Sequence, residues 1–307
     1  MKLIIQWGYD TIKIDIIPEK SGNFCQMIYT NFHTHSKYCD GSGDPEEYVL
    51  RALELGFTAL GFSSHAPLPF ENDWTLEKRD LTGYLEDIDK LKNIYKDKIE
   101  IYKGLEIDYI RDLMSPADRK YSSLNLDFSI GSVHVQKDER TGEFPGIDYT
   151  EHDMDQLLEN TFSNDITLLI KSYYKDMREM ISQGGFTFLG HLDVVKKTNN
   201  GSKYFSENAR WYREEVKNTL AAVKEKGVIM EVNTGNSRWE NETSIFPSPW
   251  ILRQARQMDI PVILSSDAHR PDRIDAHFPE ALQVLKDAGY RETVYLKGKK
   301  IISQKIS

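Results

Sequence analysis

The 307-residue chain is long enough to bury a large core, as one α/β barrel or as two smaller domains. Its hydrophobic fraction of 39% and aromatic fraction of 11% exclude a disordered chain. The net charge of −9 argues against a nucleic-acid backbone as the main partner, because proteins that bind one usually carry a basic stripe.

Membrane and disulfide signals are missing from the sequence. No apolar run approaches the ~18 residues of a membrane helix, and the N-terminus lacks the pattern of a signal peptide. The two cysteines, Cys25 and Cys39, provide no disulfide framework. We therefore expect a cytoplasmic protein without a membrane partner.

Residues 1–26 differ in pattern from the rest of the chain. TIKIDII at 11–17 alternates like a strand, yet it ends at Pro18 and precedes the first predicted barrel strand. We predict an N-terminal extension of uncertain role over 1–26 and a single domain over 27–307. The extension is either an appended arm or the product of a start site upstream of a natural start at Met27.

From residue 27 onward one unit recurs: a short apolar run, a polar residue able to bind a metal, and a helix. Such runs are typical of buried parallel strands, and seven units favour a β/α barrel over an open sheet. The runs are MIYTNF (27–32), FTALGF (57–62), IEIYKGL (99–105), FSIGSV (128–133), FTFLG (186–190), VIMEV (228–232) and PVILSS (261–266).

Capping residues, prolines and glycines mark the predicted helices. Asp44-Pro45 followed by Glu47 is a typical helix start, and Ser115-Pro116 and Ser248-Pro249 repeat it. The clearest helices span 44–56, 206–227 and 279–289. The acidic, turn-rich stretch 137–165 is the longest predicted irregular segment and a candidate lid over the strand ends.

The apolar runs end in polar residues that are able to bind a metal. His33 and His35 stand two apart, which in a strand places both side chains on one side. A His-x-His pair alone is a weak signal, but His65, Glu106, His134, His191, Asn233, Asp267 and His269 also follow apolar runs. Parallel barrel strands deliver their C-terminal ends to one face, where active sites form. We therefore predict a metal site there.

The residue types indicate the ion and the chemistry. Imidazoles and carboxylates without thiolates suit zinc, manganese or iron. More than four ligands implies more than one ion, and a carboxylate such as Glu106 can bridge two. Adjacent divalent ions share a hydroxide near neutral pH, and they can also neutralise charge on a phosphoryl group during in-line attack.

Several motifs resemble those of one superfamily. HTHSKYCDGSG, GFSSHAP, KGLEIDY, GSVH, GHLDVVKK and SDAHRP, in this order, resemble the PHP (polymerase and histidinol phosphatase) superfamily. GHLDVVKK and the closing DAGY resemble its histidinol-phosphatase branch. The resemblance covers residues 27 to about 290. It implies a distorted (β/α)7 barrel of the α/β class, with a trinuclear metal centre at the C-terminal ends of the strands.

The resemblance also implies roles for individual residues. The first ion would be held by His33, His35, Glu106 and Asp267, the second by Glu106, His134 and His191, and the third by Asp40, His65 and His269. A hydroxide bridging the ions is the expected nucleophile. Asp267 would orient it or move a proton, and Glu106 would bridge two ions. Ser64 stands where many members have Asp. This difference alters a contact made to a metal ligand and leaves the ligands themselves unchanged.

Substrate-binding residues are harder to predict. The resemblance implies cations near the metals, for which Lys197, Lys171 and Arg270 are candidates and Lys196 could replace Lys197, although many such side chains are merely solvated. Candidates for an aromatic wall around an imidazole-sized pocket are Trp239, Trp250 and Phe246, although such residues more often fill cores.

The predicted function is hydrolysis of L-histidinol phosphate in histidine biosynthesis, by a phosphomonoesterase that requires three divalent ions. Another small phosphate ester is an alternative, because residues 137–180 match no motif. A PHP exonuclease or polymerase-associated module is a second alternative, which the acidic charge disfavours. A non-catalytic metal-binding barrel is a third, which the complete set of ligands disfavours.

Overall fold

The computed structural model describes residues 2–7, 10–15, 17–18, 29–138, 140–236, 240–241 and 244–306, and only the backbone of those before residue 29. The N-terminal strands are β1 (Lys2–Trp7), β2 (Asp10–Asp15) and β3 (Ile17–Pro18). The first two form an antiparallel hairpin. Much of the predicted extension, residues 19–26 included, lies outside the described residues.

Parallel strands form the barrel wall, and each predicted apolar run contains one of them. They are β4 (Thr30–Asn31), β5 (Ala59–Phe62), β6 (Glu100–Lys103), β7 (Glu106–Asp108), β8 (Ile130–Ser132), β9 (Phe188–Leu189), β10 (Ile229–Asn233) and β11 (Val262–Ser265). The sheet orders are β4-β5-β6 and β7-β8-β9-β10-β11.

The barrel is distorted at the third strand position. Here β6 pairs with β5, and after Gly104 and Leu105 the chain resumes as β7, which pairs with β8. A Cβ on Gly104 would lie 2.5 Å from the ring of Phe128, so the close approach of that ring requires glycine. The circle closes where the His35 N–H donates to the Ala268 carbonyl at 2.8 Å. The predicted distorted seven-position barrel is confirmed.

The helices pack around this wall. They are α1 (Pro45–Glu54), α2 (Leu81–Tyr95), α3 (Arg119–Ser122), α4 (Glu151–Thr161), α5 (Ile166–Gln183), α6 (Arg210–Lys226), α7 (Pro249–Gln257) and α8 (Phe278–Asp287). No helix in the described part of the chain is long and apolar enough to cross a bilayer.

Two helix predictions were wrong in detail. Ser115-Pro116 does not start a helix, because the Ser115 hydroxyl accepts the Ala117 N–H in a local turn and only the single turn of α3 follows. The predicted irregular segment 137–165 contains α4. Its start is a capping box between Thr150 and Asp153, and its inner face buries Leu157.

A C-terminal hairpin, not predicted, completes the fold. It consists of β12 (Glu292–Lys297) and β13 (Lys300–Lys305), which pair antiparallel. Its buried residues Tyr295 and Ile301 belong to one apolar cluster with Phe32, Phe128 and Phe188 from the barrel. β3 adds to its edge in parallel, with Ile17 opposite Ile302. The hairpin thus packs the C-terminal end of the chain against the barrel.

Candidate metal centre

The barrel brings the predicted ligands together at the C-terminal ends of its strands. Asp40 lies in the turn before α1, and Glu106 is the first residue of β7. His33 and His35 follow β4, His65 follows β5, His134 follows β8, His191 follows β9, and Asp267 and His269 follow β11. Residues more than 200 positions apart in sequence therefore meet, as when His269 Nε2 lies 3.2 Å from an Asp40 carboxylate oxygen.

Their donor atoms form four overlapping groups, in each of which the atoms lie within 4.8 Å of one another. The groups are His35 with Asp40, His65 and His269; His33 with His35 and Asp267; His33 with Glu106 and His191; and His65 with Asp108 and His134. Every predicted ligand belongs to one of them, and Asp108 is an addition. Their assignment to individual ions stays a prediction.

Glu106 lies between two sets of histidines. Its Oε2 is 3.0 Å from His33 Nε2 and 3.0 Å from His65 Nδ1, whereas its Oε1 is 3.0 Å from His191 Nε2. Ser132 donates its hydroxyl to Oε1 at 2.6 Å, which helps to fix the carboxylate. The side chain is fully buried. A carboxylate that bridges two metal ions requires this arrangement, in which its two oxygens face different histidines.

The donor atoms fit divalent cations. His35 Nε2 and Asp267 Oδ1 lie 3.0 Å apart, yet within the described residues both are buried without a well-aligned hydrogen bond. His134 Nε2 and His191 Nε2 face one another at 3.1 Å. Nitrogen and oxygen donors converging in this way, without thiolates, are suited to zinc, manganese or iron. The described residues therefore fit a cluster of divalent ions.

Two buried carboxylates that the sequence analysis did not identify hold the histidine rings. Glu231 Oε1 lies 2.6 Å from His33 Nδ1, and its Oε2 accepts a hydrogen bond from the backbone N–H of His191 at 2.9 Å. Asp108 Oδ1 lies 2.9 Å from His134 Nδ1. Carboxylates behind ligating histidines select the ring orientation and tautomer. A sequence signal existed for Glu231, because it interrupts the apolar run VIMEV.

The imidazoles and carboxylates of the cluster shift one another's pKa. Burial disfavours the charged form of His33, but the carboxylates of Asp267 and Glu231 outweigh it and raise the pKa of His33 well above its usual value. Burial likewise resists ionisation of Glu106, yet His33 and His65 hold the pKa of Glu106 well below its usual range. Ionised carboxylates among buried imidazoles make a site that favours cations.

Asp267 is held in an unusual backbone conformation. Its φ of 50° lies in the left-handed region. A Cβ on Gly235 would lie 2.5 Å from the Asp267 Cβ, so only glycine fits beside it. The Asn233 amide donates to Asp267 Oδ2 at 3.2 Å and to Glu231 at 3.1 Å. Asn233 therefore links two carboxylates of the site.

A cavity of about 200 Å³ opens above these residues. Its lining residues are Asp40, His65, Trp74, His134, Asp148, Tyr149, His191, Val194, Lys197, Gly235, Phe246, Asp267 and His269. The Trp74 ring packs edge-on against His65, with 4.8 Å between centroids, and lies 5.6 Å from His134. One side of the cavity therefore presents metal-binding atoms, and the other presents aromatic rings.

The family model of the PHP domain matches residues 31–235. The chain belongs to the PHP domain family. Its sequence is 30% identical over 254 residues to the histidinol-phosphatase of Bacillus subtilis, covering 78% of this chain and 92% of the relative.

Two solved structures share the fold of this PHP chain. One, a histidinol phosphatase candidate from Listeria monocytogenes, has a TM-score of 0.70 at 21% identity and covers 82% of this chain and 99% of the other. The second is histidinol phosphate phosphatase from Lactococcus lactis, solved with zinc, L-histidinol and phosphate. It has a TM-score of 0.64 at 23% identity and covers 89% of this chain and 98% of the other.

Among the predicted phosphate-binding cations of this PHP barrel, Lys197 lines the cavity. Its Nζ donates to Asp148 Oδ2 at 2.9 Å, and the Asp148 carboxylate raises the pKa of Lys197. Lys196 is instead buried and lies 3.0 Å from Asp193. Lys171 is exposed on α5, and Arg270 pairs with Asp272 at 2.9 Å; neither lines the cavity.

The predicted aromatic wall is only partly present in the described residues. Phe246 lines the cavity. Trp250 does not, and its indole N–H donates to Glu207 at 2.6 Å. Trp239 lies outside the described residues. Trp74 and Tyr149, which the sequence analysis did not identify, provide the other rings, because the loops that carry them have no recognisable motif.

Proposed function

We propose that this PHP protein is a metal-dependent phosphomonoesterase that hydrolyses L-histidinol phosphate to L-histidinol and phosphate in histidine biosynthesis. The observation that carries the proposal is the Glu106 carboxylate, which is buried among the residues that line the cavity and whose two oxygens face different histidines. The similarity to the histidinol-phosphatase of Bacillus subtilis supports the substrate.

Three divalent ions would occupy the cluster. The first would be held by His33, His35, Glu106 and Asp267, the second by Glu106, His134 and His191, and the third by Asp40, His65 and His269, whose contacts within each set support this division. Bound ions would neutralise charge on the phosphoryl group and generate a hydroxide nucleophile at neutral pH. Zinc is supported by its presence in the Lactococcus lactis structure.

The residues of this chain would perform the other catalytic roles. Glu106 stays ionised and balances the charge between two ion positions. Asp267 Oδ1, which makes no well-aligned hydrogen bond within the described residues, would accept the proton of the nucleophile. Lys197 Nζ would donate to the phosphoryl oxygen that faces away from the ions. Trp74, packed on His65, would limit the access of bulk water.

The size of the cavity supports a small substrate over a nucleic acid. A volume of about 200 Å³ suits one phosphoryl group with a small organic substituent. The net charge of −9 would repel a nucleic-acid backbone. A biosynthetic phosphatase of this kind would act in the cytoplasm.

The test is steady-state hydrolysis by the full chain of L-histidinol phosphate, glycerol 3-phosphate, phosphoserine and p-nitrophenyl phosphate, with metal analysis of the same sample. We expect close to three ions per chain and a preference for L-histidinol phosphate of roughly a hundredfold or more in kcat/KM. A chelator should abolish turnover, and added zinc or manganese should restore it. Equal rates on all esters would remove the substrate assignment, and turnover that survives removal of the metal would remove the mechanism.

A further inference from the structure

Besides the candidate metal ligands, the cavity lining contains one more carboxylate among the described residues. Asp148 lies in the loop before α4 and is only 9% exposed. It belongs to none of the four groups of metal-binding atoms found in the described chain. Its carboxylate contacts Lys197 Nζ at 2.9 Å. A buried charge in a substrate cavity that is not placed to bind a metal needs another explanation.

The loop that carries Asp148 is fixed to the strand end beside the metal centre. The Ile147 N–H donates to the His134 carbonyl at 2.9 Å, and Val135 and Gly146 form an antiparallel bridge. Ile147 is fully buried, which anchors the loop further. Asp148 is therefore held at a set distance from His134, and its position does not depend on the closure of a lid.

Charge balance links Asp148 to the substrate. A buried carboxylate is stable only when a cation or several hydrogen-bond donors compensate it, and Lys197 is the cation in contact with it. A phosphate ester bound at the floor of the cavity would attract the same ammonium group. An ester that carries its own ammonium group could provide the carboxylate with a replacement cation. An ester without one would leave Asp148 and the phosphoryl group to share Lys197.

We propose that Asp148 accepts the ammonium group of the substrate and thereby selects phosphomonoesters that carry an amine close to the phosphate. The inference rests on the proposed phosphomonoesterase function. In L-histidinol phosphate the amine lies on the carbon next to the phosphorylated methylene, so phosphate and ammonium can reach Lys197 and Asp148 together. The neighbouring rings of Tyr149 and Trp74, 6.4 Å apart, leave the imidazole a place beside them.

The alternative is that Asp148 only positions Lys197. The two roles differ in what they predict for a substrate without an amine. A residue that only positions Lys197 matters equally for every phosphate ester, whereas an ammonium acceptor matters only for the aminated ones. The comparison therefore needs a pair of esters that differ in the amine alone.

The experiment measures kcat/KM of the wild-type chain and of Asp148→Asn on L-histidinol phosphate and on its deamino analogue, 3-(imidazol-4-yl)propyl phosphate. The asparagine side chain has the shape of the aspartate side chain and can still accept a hydrogen bond from Lys197, but it lacks the negative charge. We expect Asp148→Asn to lower kcat/KM about ten- to hundredfold for the aminated ester and less than about threefold for the deamino ester. Asp73→Asn, which removes an exposed carboxylate next to Trp74, is the matched control and should change neither.

Equal losses on both esters would overturn the inference in favour of positioning, and no loss on either would remove any role for Asp148. Calorimetric binding of L-histidinol to metal-loaded wild-type chain and Asp148→Asn provides a test that needs no turnover. We expect the Kd to rise about ten- to hundredfold. An unchanged Kd would refute the inference even if the wild-type chain hydrolysed neither ester, whereas failure of the proposed function alone would leave this difference in binding intact.

Discussion

The floor and the wall of the cavity are built in different ways. The floor consists of the predicted metal ligands. Six of them line the cavity, namely Asp40, His65, His134, His191, Asp267 and His269, and the other three, His33, His35 and Glu106, are fully buried next to them at strand ends. The wall consists of Trp74, Asp148, Tyr149, Lys197 and Phe246, which lie on loops or just beyond strands. Tyr149 is 47% exposed. The floor is thus held by the backbone of the barrel, and the wall by contacts between loops.

This difference separates two tasks. Divalent ions tolerate little error in the positions of their ligands, and side chains anchored at strand ends meet that demand. The organic part of a substrate varies among enzymes, and loops can change in length and charge without disturbing a barrel. We expect changes in the floor to remove the activity towards every ester and changes in the wall to alter the preference between esters.

The largest effect is expected at the centre of the floor. Glu106→Gln removes a charge that faces two sets of histidines, so kcat/KM should fall by about a thousandfold or more, equivalent to ~4 kcal/mol. His65→Ala should cost less, because the contacts of Glu106 with His33 and His191 remain. Metal content and turnover of both variants would be measured together. Equal losses of metal and rate in the two variants would show that Glu106 does not bridge.

The next effect concerns a carboxylate behind the floor. Glu231→Gln weakens the acceptor that orients His33 Nδ1, so we expect a loss of about ten- to hundredfold in metal affinity or turnover. The loss should be the same for every phosphate ester, because Glu231 does not line the cavity. A variant with full metal affinity and a changed preference between esters would place Glu231 in the wall instead.

An effect of similar size on turnover, but without loss of metal, is expected in the wall. Lys197→Ala removes a hydrogen-bonded cation, which typically costs about 1.5–3 kcal/mol, so kcat/KM should fall roughly ten- to hundredfold with metal content unchanged. Competitive inhibition by inorganic phosphate should weaken in parallel. Lys203→Ala, which removes a half-exposed lysine paired with Glu151 and Asp155, is the control. An unchanged inhibition constant for phosphate would show that Lys197 does not bind the phosphoryl group.

The smallest effect is expected from removal of residues 1–26. The predicted metal ligands all follow residue 32, so turnover should stay within about twofold of the full chain. The pairing of β3 with β13 makes thermal stability the more sensitive measurement. A truncated protein without activity would show that the N-terminal segment supports the barrel. Activity would then depend on this segment as well as on the floor and the wall.

The sequence alone predicted most of the floor, for a local reason. An apolar run of a few residues followed by a histidine or carboxylate is visible within any short window, as at His33, His65 and His191. The barrel topology then brings all such ends to one face. The prediction failed where local signals compete, as at Ser115, whose hydroxyl forms a turn in place of a helix cap.

The sequence by itself determined the barrel, the types of metal-binding residue and their positions at strand ends. Only the tertiary structure decided the partners of those residues. Glu231 meets His33 across 198 positions in sequence, and Asp148 meets Lys197 across 49. Such contacts depend on how loops return to the strand ends and on which way each side chain points. Neither the path of a loop nor the direction of a side chain can be predicted from periodicity or capping signals, because both result from packing between distant segments.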